Sequence, residues 1–277
     1  MAGYDLHTHT TKSDGTFTPS EVVDLAVELD LTGIAITDHD TLAGLGEAAE
    51  RAGDRLEIVP GIEFSAEYEG SSLHVLAYWI DPANEALRTE LRRLTDTRFR
   101  RGELMVEKLR ELGYAIEFDD VRRIAGGDTI ARPHVAQAMV EAGIVPDEKA
   151  AFTEEFIVDG GRAWVPKHAL HPLDALALIA SAGGVCVLAH PGMWNGQGSV
   201  PVDLIEAMAA RGMAGLEVDH PDHDDTQRRV YRALAERLDL VPTGASDCHG
   251  HRYDPVRLGS ESTDASRFAE LRRRADR

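Results

Sequence analysis

Near its start the chain reads Asp5-Leu6-His7-Thr8-His9-Thr10-Thr11-Lys12-Ser13-Asp14-Gly15, which packs two histidines and two carboxylates into ten residues. On a strand the side chains alternate between faces, so Asp5, His7 and His9 would point the same way. A His-x-His pair facing solvent would do nothing. Neutral imidazole is, however, the commonest transition-metal ligand, and two imidazoles beside a carboxylate can begin a divalent-cation site. Residues of the same types recur along the chain: Asp38, His39 and Asp40 in TDHDT, Glu63 in GIEFS, His74 in LHVL, His190 in LAHP, His220 in VDHP, and Asp247 and His249 in ASDCHG.

Such residues act together only if the fold gathers them. GYDLHTH reads as a strand and TPSEVVDLAVELD as a helix, opened by Thr18 with Pro19 in its first turn and Glu21 three residues on. GIAITDHD is the next strand, LAGLGEAAERAG a second helix, and LEIVPGIEFSAEY and SSLHVLAYWI two further strands. From Asn84 to Trp164 the pattern changes to helices, with EALRTELRRLTDTRFRRGELMVEKLRELG as one long stretch and RPHVAQAMVEAG as a shorter one. Alternation returns from PLDALALIASAGG to LVPTGASDCHG. The expected organisation is an α/β domain over residues 1–83 and 165–277, interrupted by a helical insertion over 84–164. Strands separated by helices imply a mostly parallel sheet, whose carboxyl ends collect the chemistry. Nearly every expected strand here is followed by a ligand-type side chain.

Composition narrows the partners. At 277 residues with a formal net charge of −19, the chain is a poor candidate for coating duplex DNA, which requires broad phosphate neutralisation. A local basic patch exists in the insertion: Arg88, Arg92, Arg93, Arg98, Arg100, Arg101 and Arg110, followed by Arg122, Arg123 and Arg132. Either these arginines lace a solvated helix face with neighbouring Glu and Asp, or they supply a positive field for phosphate. No apolar run is long enough to span a bilayer and the N-terminus lacks a signal pattern, so a soluble, cytoplasmic protein without membrane partners is expected. Cys186 and Cys248 form neither a disulfide framework nor a zinc knuckle.

The ordered set DLHTHTTKSDG, TDHDT, GIEFS, HVL, LAHP and GASDCHG resembles the PHP (polymerase and histidinol phosphatase) family of metal-dependent phosphoesterases. The resemblance implies a distorted (β/α)7 barrel with a trinuclear metal cluster at its mouth, and here a helical cap. Carried over by residue, His7, His9, Glu63 and Asp247 hold one metal, Glu63 bridges to a second held with His74 and His190, and Asp14, His39 and His249 hold a third. Some members have histidine where this chain has Asp14, which bears on the choice among Mn, Zn and Fe. Glu63, Asp247 and His190 are the expected catalytic residues. Paired metals of this kind lower the pKa of a bridging water and clamp phosphoryl oxygens during in-line displacement. Asp5 and Asp38 are candidates for orienting the imidazoles from behind.

On the substrate side, ARPH places Arg132 and His134 at a helix start, where backbone amides favour an anion. The subgroup this chain most resembles carries an Arg-Pro-His of this kind on its cap. It hydrolyses the 3′-phosphate of nucleoside 3′,5′-bisphosphates, and related members trim short RNA from the 5′ end. Lys167, His220 and His223 are further candidate phosphate contacts. Three alternatives share parts of the pattern. Histidinol-phosphate phosphatase has the same metal set. An amidohydrolase also begins with His-x-His, but needs a bridging lysine where Glu63 stands. The last is a metal-binding regulatory domain without turnover.

Overall fold

A computed structural model describes residues 3–127, 129–166, 168–194 and 198–276. A seven-stranded sheet runs in chain order: β1 (Tyr4–Thr8), β2 (Gly33–Ile36), β3 (Glu57–Tyr68), β4 (Ser71–Tyr78), β5 (Val185–Leu188), β6 (Gly215–Asp219) and β7 (Val241–Gly244). The edges nearly meet: Thr8 bridges Cys248 in parallel, and the His9 amide donates to the Cys248 carbonyl at 2.9 Å. The result is a nearly closed barrel with helices around it, the architecture that the family resemblance implied, where the alternation of strands and helices pointed only to a mostly parallel sheet.

The helix starts follow the local sequence. α1 (Pro19–Glu28) opens with Thr18 accepting from the Glu21 amide while the Glu21 carboxylate accepts from the Thr18 amide, and proline occupies its first turn. α2 (Leu45–Ala52), α7 (Pro172–Ser181), α8 (Val202–Ala210), α9 (Asp225–Arg237) and α10 (Ala265–Ala275) complete the barrel's helices. None of the described helices is long and apolar enough to cross a membrane.

One strand departs from the parallel rule. β4 pairs antiparallel with both β3 and β5. The short β3–β4 hairpin therefore stands above the barrel mouth, and β4 begins there and runs downward. His74, the fourth residue of β4 and the partner of Ser65, reaches the mouth from the start of its strand and not from the end.

Between β4 and α7 lie α3 (Glu85–Glu111), α4 (Phe118–Ala125), α5 (Arg132–Glu141) and α6 (Glu148–Ala151). Met105, Leu109, Ile116, Val121, Val135, Met139 and Ile157 form an apolar cluster separate from those of the barrel. α3 belongs to both regions: Leu87 and Leu94 pack in the barrel's cluster, while its second half packs among the other insertion helices.

Candidate metal centre

β1 delivers His7 and His9 fully buried into the mouth. The chain then folds back sharply. The Ser13 and Gly15 amides both donate to the Thr10 carbonyl at 3.0 Å, and a Cβ on Gly15 would lie 2.5 Å from the His9 carbonyl oxygen. Only glycine allows this approach, which returns Asp14 to the neighbourhood of His9. Asp40, His190 and Asp247 hold φ values of 54°, 25° and 49°, in the left-handed region that non-glycine residues seldom adopt. Strained backbone of this kind concentrates at functional sites, and all three residues lie at the mouth.

Glu63 is the hub. Its carboxylate lies 3.3 Å from His7, 3.2 Å from His9, 2.8 Å from His39, 3.0 Å from His74 and 3.2 Å from His190. Asp247 Oδ1 lies 3.2 Å from both His7 and His9. Asp14 lies 3.4 Å from His249, and 3.8 Å from both His9 and His39. Every expected ligand is thus brought to one mouth.

The grouping differs from the expectation in two residues. Candidate donor atoms within 4.8 Å of one another form three overlapping sets: His9, Asp14, His39 and His249; His7, His9 and Glu63; and His39, Glu63 and His74. His9 therefore faces the Asp14 cluster as well as His7, and His39 faces Glu63 as well as Asp14. Both rings sit between neighbouring groups, which ordering along the chain cannot reveal.

These atoms fit a cation better than they fit one another. Asp14 Oδ1, His39 Nδ1 and Glu63 Oε2 are buried without a hydrogen-bond partner, although His39 Nδ1 and Glu63 Oε2 are only 2.8 Å apart. Their lone pairs converge instead of aligning donor to acceptor. His7 Nε2 and His9 Nε2 likewise approach to 3.1 Å. Burial disfavours ionised carboxylates, yet the surrounding imidazoles hold Glu63, Asp14 and Asp247 well below the usual carboxylate range. A nitrogen and oxygen donor set that stabilises positive charge in a buried space suits Zn, Mn or Fe.

Behind the donors stands a carboxylate that the sequence did not single out. Glu217, fully buried on β6, accepts from His7 Nδ1 at 3.1 Å and from the His190 amide at 2.7 Å. The first bond fixes the His7 tautomer and turns its Nε2 lone pair to the mouth. A glutamate inside the apolar run GLEV was the available signal. Asp38 acts through Ser13: Ser13 Oγ donates to Asp38 at 2.6 Å and lies 3.4 Å from His9 Nδ1. Asp5 does not touch an imidazole. It accepts from the backbone amides of His7, Ser246 and Gly259, tying β1 to the segment after β7, and burial pushes its carboxyl up to about 6.

Above the donors lies a cavity of about 260 Å³, lined below by Asp14, His39, Glu63, His74, His190, Asp247 and His249. Its upper wall includes Arg98, Arg101, Arg132, Phe152, Met193 and Trp194. Arg132 begins α5, contacts Asp159 at 2.5 Å and lies 5.7 Å from the Phe152 ring. Arg98 and Arg101 are buried, whereas Arg92, Arg93 and Arg100 are exposed. Arg98 bonds Asp40 at 2.6 Å and Ser65 at 2.7 Å. Arg101 donates Nε–H to the Val165 carbonyl at 2.7 Å; burial and the nearby Arg132 and Arg98 push it down to about 9. A cation made this uncomfortable is poised for an anion.

The other substrate candidates are not brought to the cavity wall. His134 is buried, its Nδ1 accepting from the Ala131 amide at 3.2 Å, and burial pushes it down to about 4. His223 spends both ring nitrogens on backbone: Nδ1–H donates to Val218 at 3.0 Å and Nε2 accepts from Gly192 at 3.1 Å. His220 accepts from the Asp222 amide through Nδ1, so its Nε2 bears the proton, 3.6 Å from Asp247 Oδ2. It stands behind a ligand carboxylate. Lys167 lies outside the described residues.

The family described as the PHP domain matches residues 5–115. The chain is 33% identical over 249 residues to the 5′-3′ exoribonuclease Rnm of Salmonella typhimurium, across 89% of this chain and 85% of that one. It is 33% identical over 251 residues to the 3′,5′-nucleoside bisphosphate phosphatase of Chromobacterium violaceum, across 90% and 88%. A solved structure from Bifidobacterium adolescentis, assigned as a metal-dependent phosphoesterase, matches with a TM-score of 0.92 at 37% identity, covering 99% of this chain and 96% of that one. Similarity of this extent, over a mouth furnished with imidazoles and carboxylates, places the chain in the PHP family of metal-dependent phosphoesterases, hydrolases of phosphoester bonds.

Proposed function

We propose that the protein hydrolyses the 3′-phosphate of nucleoside 3′,5′-bisphosphates. The observation that carries this reading is one cavity with donor residues for cations on its floor and the guanidiniums of Arg98, Arg101 and Arg132 on its wall. A substrate with a single phosphate answers the floor alone; a substrate with two answers both. Arg101 and Arg132 would seat the 5′-phosphate, because guanidinium N–H groups match phosphate oxygens in bidentate geometry. Phe152, Met193 and Trp194 supply an apolar wall for the organic part between the phosphates.

In this reading three divalent cations are held by His7, His9, Asp14, His39, Glu63, His74, His190, Asp247 and His249. Bound there, they supply Lewis-acid polarisation of the phosphoryl group and a lowered pKa for water. Glu63, Asp247 and His190 lie against the reacting phosphate. Glu217 keeps the His7 and His190 segments in place, and His220 stands beside the outer oxygen of Asp247. Seating of the distant phosphate converts binding into orientation of the scissile bond, which is where such enzymes gain rate. The same seat admits the 5′-terminal phosphate of a short RNA, so stepwise 5′-to-3′ trimming is a natural extension. Histidinol phosphate would leave the guanidinium wall unanswered. Glu63 stands in the role that a bridging lysine fills in an amidohydrolase, which disfavours that alternative.

The test is phosphate release from adenosine 3′,5′-bisphosphate by Mn-reconstituted protein, beside histidinol phosphate and a short 5′-phosphorylated RNA. Preferential release from the bisphosphate is expected. Equal or greater release from histidinol phosphate would overturn the two-phosphate reading.

A further inference from the structure

Three residues beyond His249, Arg252 ends a single 3-10 turn, Gly250–Arg252. Its side chain is only 12% exposed and spans two parts of the molecule. Nε–H donates to the backbone carbonyl of Asp14 at 2.6 Å, and Nη1 pairs with the Glu148 carboxylate. The first partner is the carboxylate-bearing residue among His9, His39 and His249. The second is the first residue of α6, whose chain continues directly into Phe152 on the cavity wall, with the Arg132 guanidinium over that ring.

Other contacts tie α3 to the barrel part of the chain. Arg98 joins α3 to Asp40 and Ser65, and Glu90 meets His168 at 2.9 Å. α6 lies at the far end of the insertion from these anchors in chain order. A largely covered guanidinium that engages a carboxylate on one side and a carbonyl on the other fixes their separation, because its donors diverge from a rigid plane.

From this we infer that Arg252 is a positioning residue that couples the Asp14 cluster to the insertion: it holds Asp14 in reach of its imidazole partners and, through Glu148, sets Phe152 and Arg132 over the floor. It touches no reacting atom. The inference rests on the proposed seat for a second phosphate, but its two arms have separate readouts.

Glu148→Ala severs the insertion arm alone. It should raise KM for adenosine 3′,5′-bisphosphate about tenfold, the cost of one charge-assisted contact. It should leave kcat, metal content and turnover of p-nitrophenyl phosphate near wild type, and speed amide hydrogen exchange over residues 147–152. Arg252→Ala severs both arms and should in addition lower bound metal, measured by elemental analysis after dialysis. The exchanged pair Arg252→Glu with Glu148→Arg should restore slow exchange over 147–152 without restoring the metal. Unchanged exchange and metal content in Arg252→Ala would overturn the inference, as would equal losses on both substrates in Glu148→Ala. If wild-type protein ignores the bisphosphate, the proposed substrate fails, while exchange and metal content still decide the role of Arg252.

Discussion

The floor and the wall of the cavity are built by opposite means. Floor residues come from strand ends and adjoining loops spread from His7 to His249, are held by buried partners such as Glu217 and Ser13, and crowd until their lone pairs collide. The three arginines of the wall come from one inserted segment, on α3 and α5, and their guanidiniums repel one another. The floor concentrates negative charge and imidazole, so it selects cations. The wall concentrates positive charge, so it selects anions. In the proposed function a substrate with two phosphates answers both, with bond cleavage on the barrel side and choice of substrate on the insertion side.

The largest effect should come from the floor. Glu63→Gln keeps the shape but removes the charge that five imidazoles face; activity on every phosphate substrate should fall more than about 100-fold, beyond the range for losing a partner one step removed, with loss of at least one metal equivalent. Full turnover with full metal content would break the assignment of Glu63 as hub. On the wall, Arg101→Ala should lower kcat/KM for the bisphosphate by about 10- to 100-fold, as expected for charge-assisted hydrogen bonds, and should spare p-nitrophenyl phosphate. Equal losses on both would erase the distinction between the two regions.

Glu217→Gln sharpens the comparison within the floor. It should weaken metal binding by roughly 10- to 100-fold while leaving the ratio of the two substrates unchanged, because the residue fixes His7 from behind. The smallest effect concerns folding of the insertion. Burial holds His134 at about 4 against an ordinary 6.5, so between these values the unfolded chain binds a proton that the folded chain does not. Stability is therefore lost as pH falls through this window, by at most roughly 3 kcal/mol from this group. In urea titrations at pH 7 and pH 4.5, His134→Gln should show a smaller loss on acidification than wild type. An identical loss would show that His134 does not titrate with folding.

The alternation of apolar strands and amphipathic helices made a mostly parallel sheet legible, its closure into a barrel came only with the family resemblance, and the Thr18, Pro19 and Glu21 helix start appeared as written because capping is local chemistry. The ligand types were legible because few other combinations place histidine or carboxylate after strand upon strand. His134 and His223 are turned to backbone groups for a common reason. Each lies beside a loop or helix end whose buried amide or carbonyl needs a partner, and the imidazole supplies it. Arg98 and Arg101 could not be separated from the arginines around them by pattern, since only the docking of α3 across the barrel decides which side of that helix becomes interior.

Sequence alone determined which side-chain types could bind cations, that they follow strand-like runs, and that a helical stretch interrupts the alternation of strands and helices, because these depend on residue type and local periodicity. Tertiary structure decided the rest: that β4 runs antiparallel and presents His74 from its start, that His9 and His39 are shared between neighbouring groups, that Glu217 stands behind His7, and that Arg252 joins Asp14 to Glu148. Each of these is a distance between residues far apart in the chain, set by barrel closure and helix packing, and no local pattern encodes such a distance.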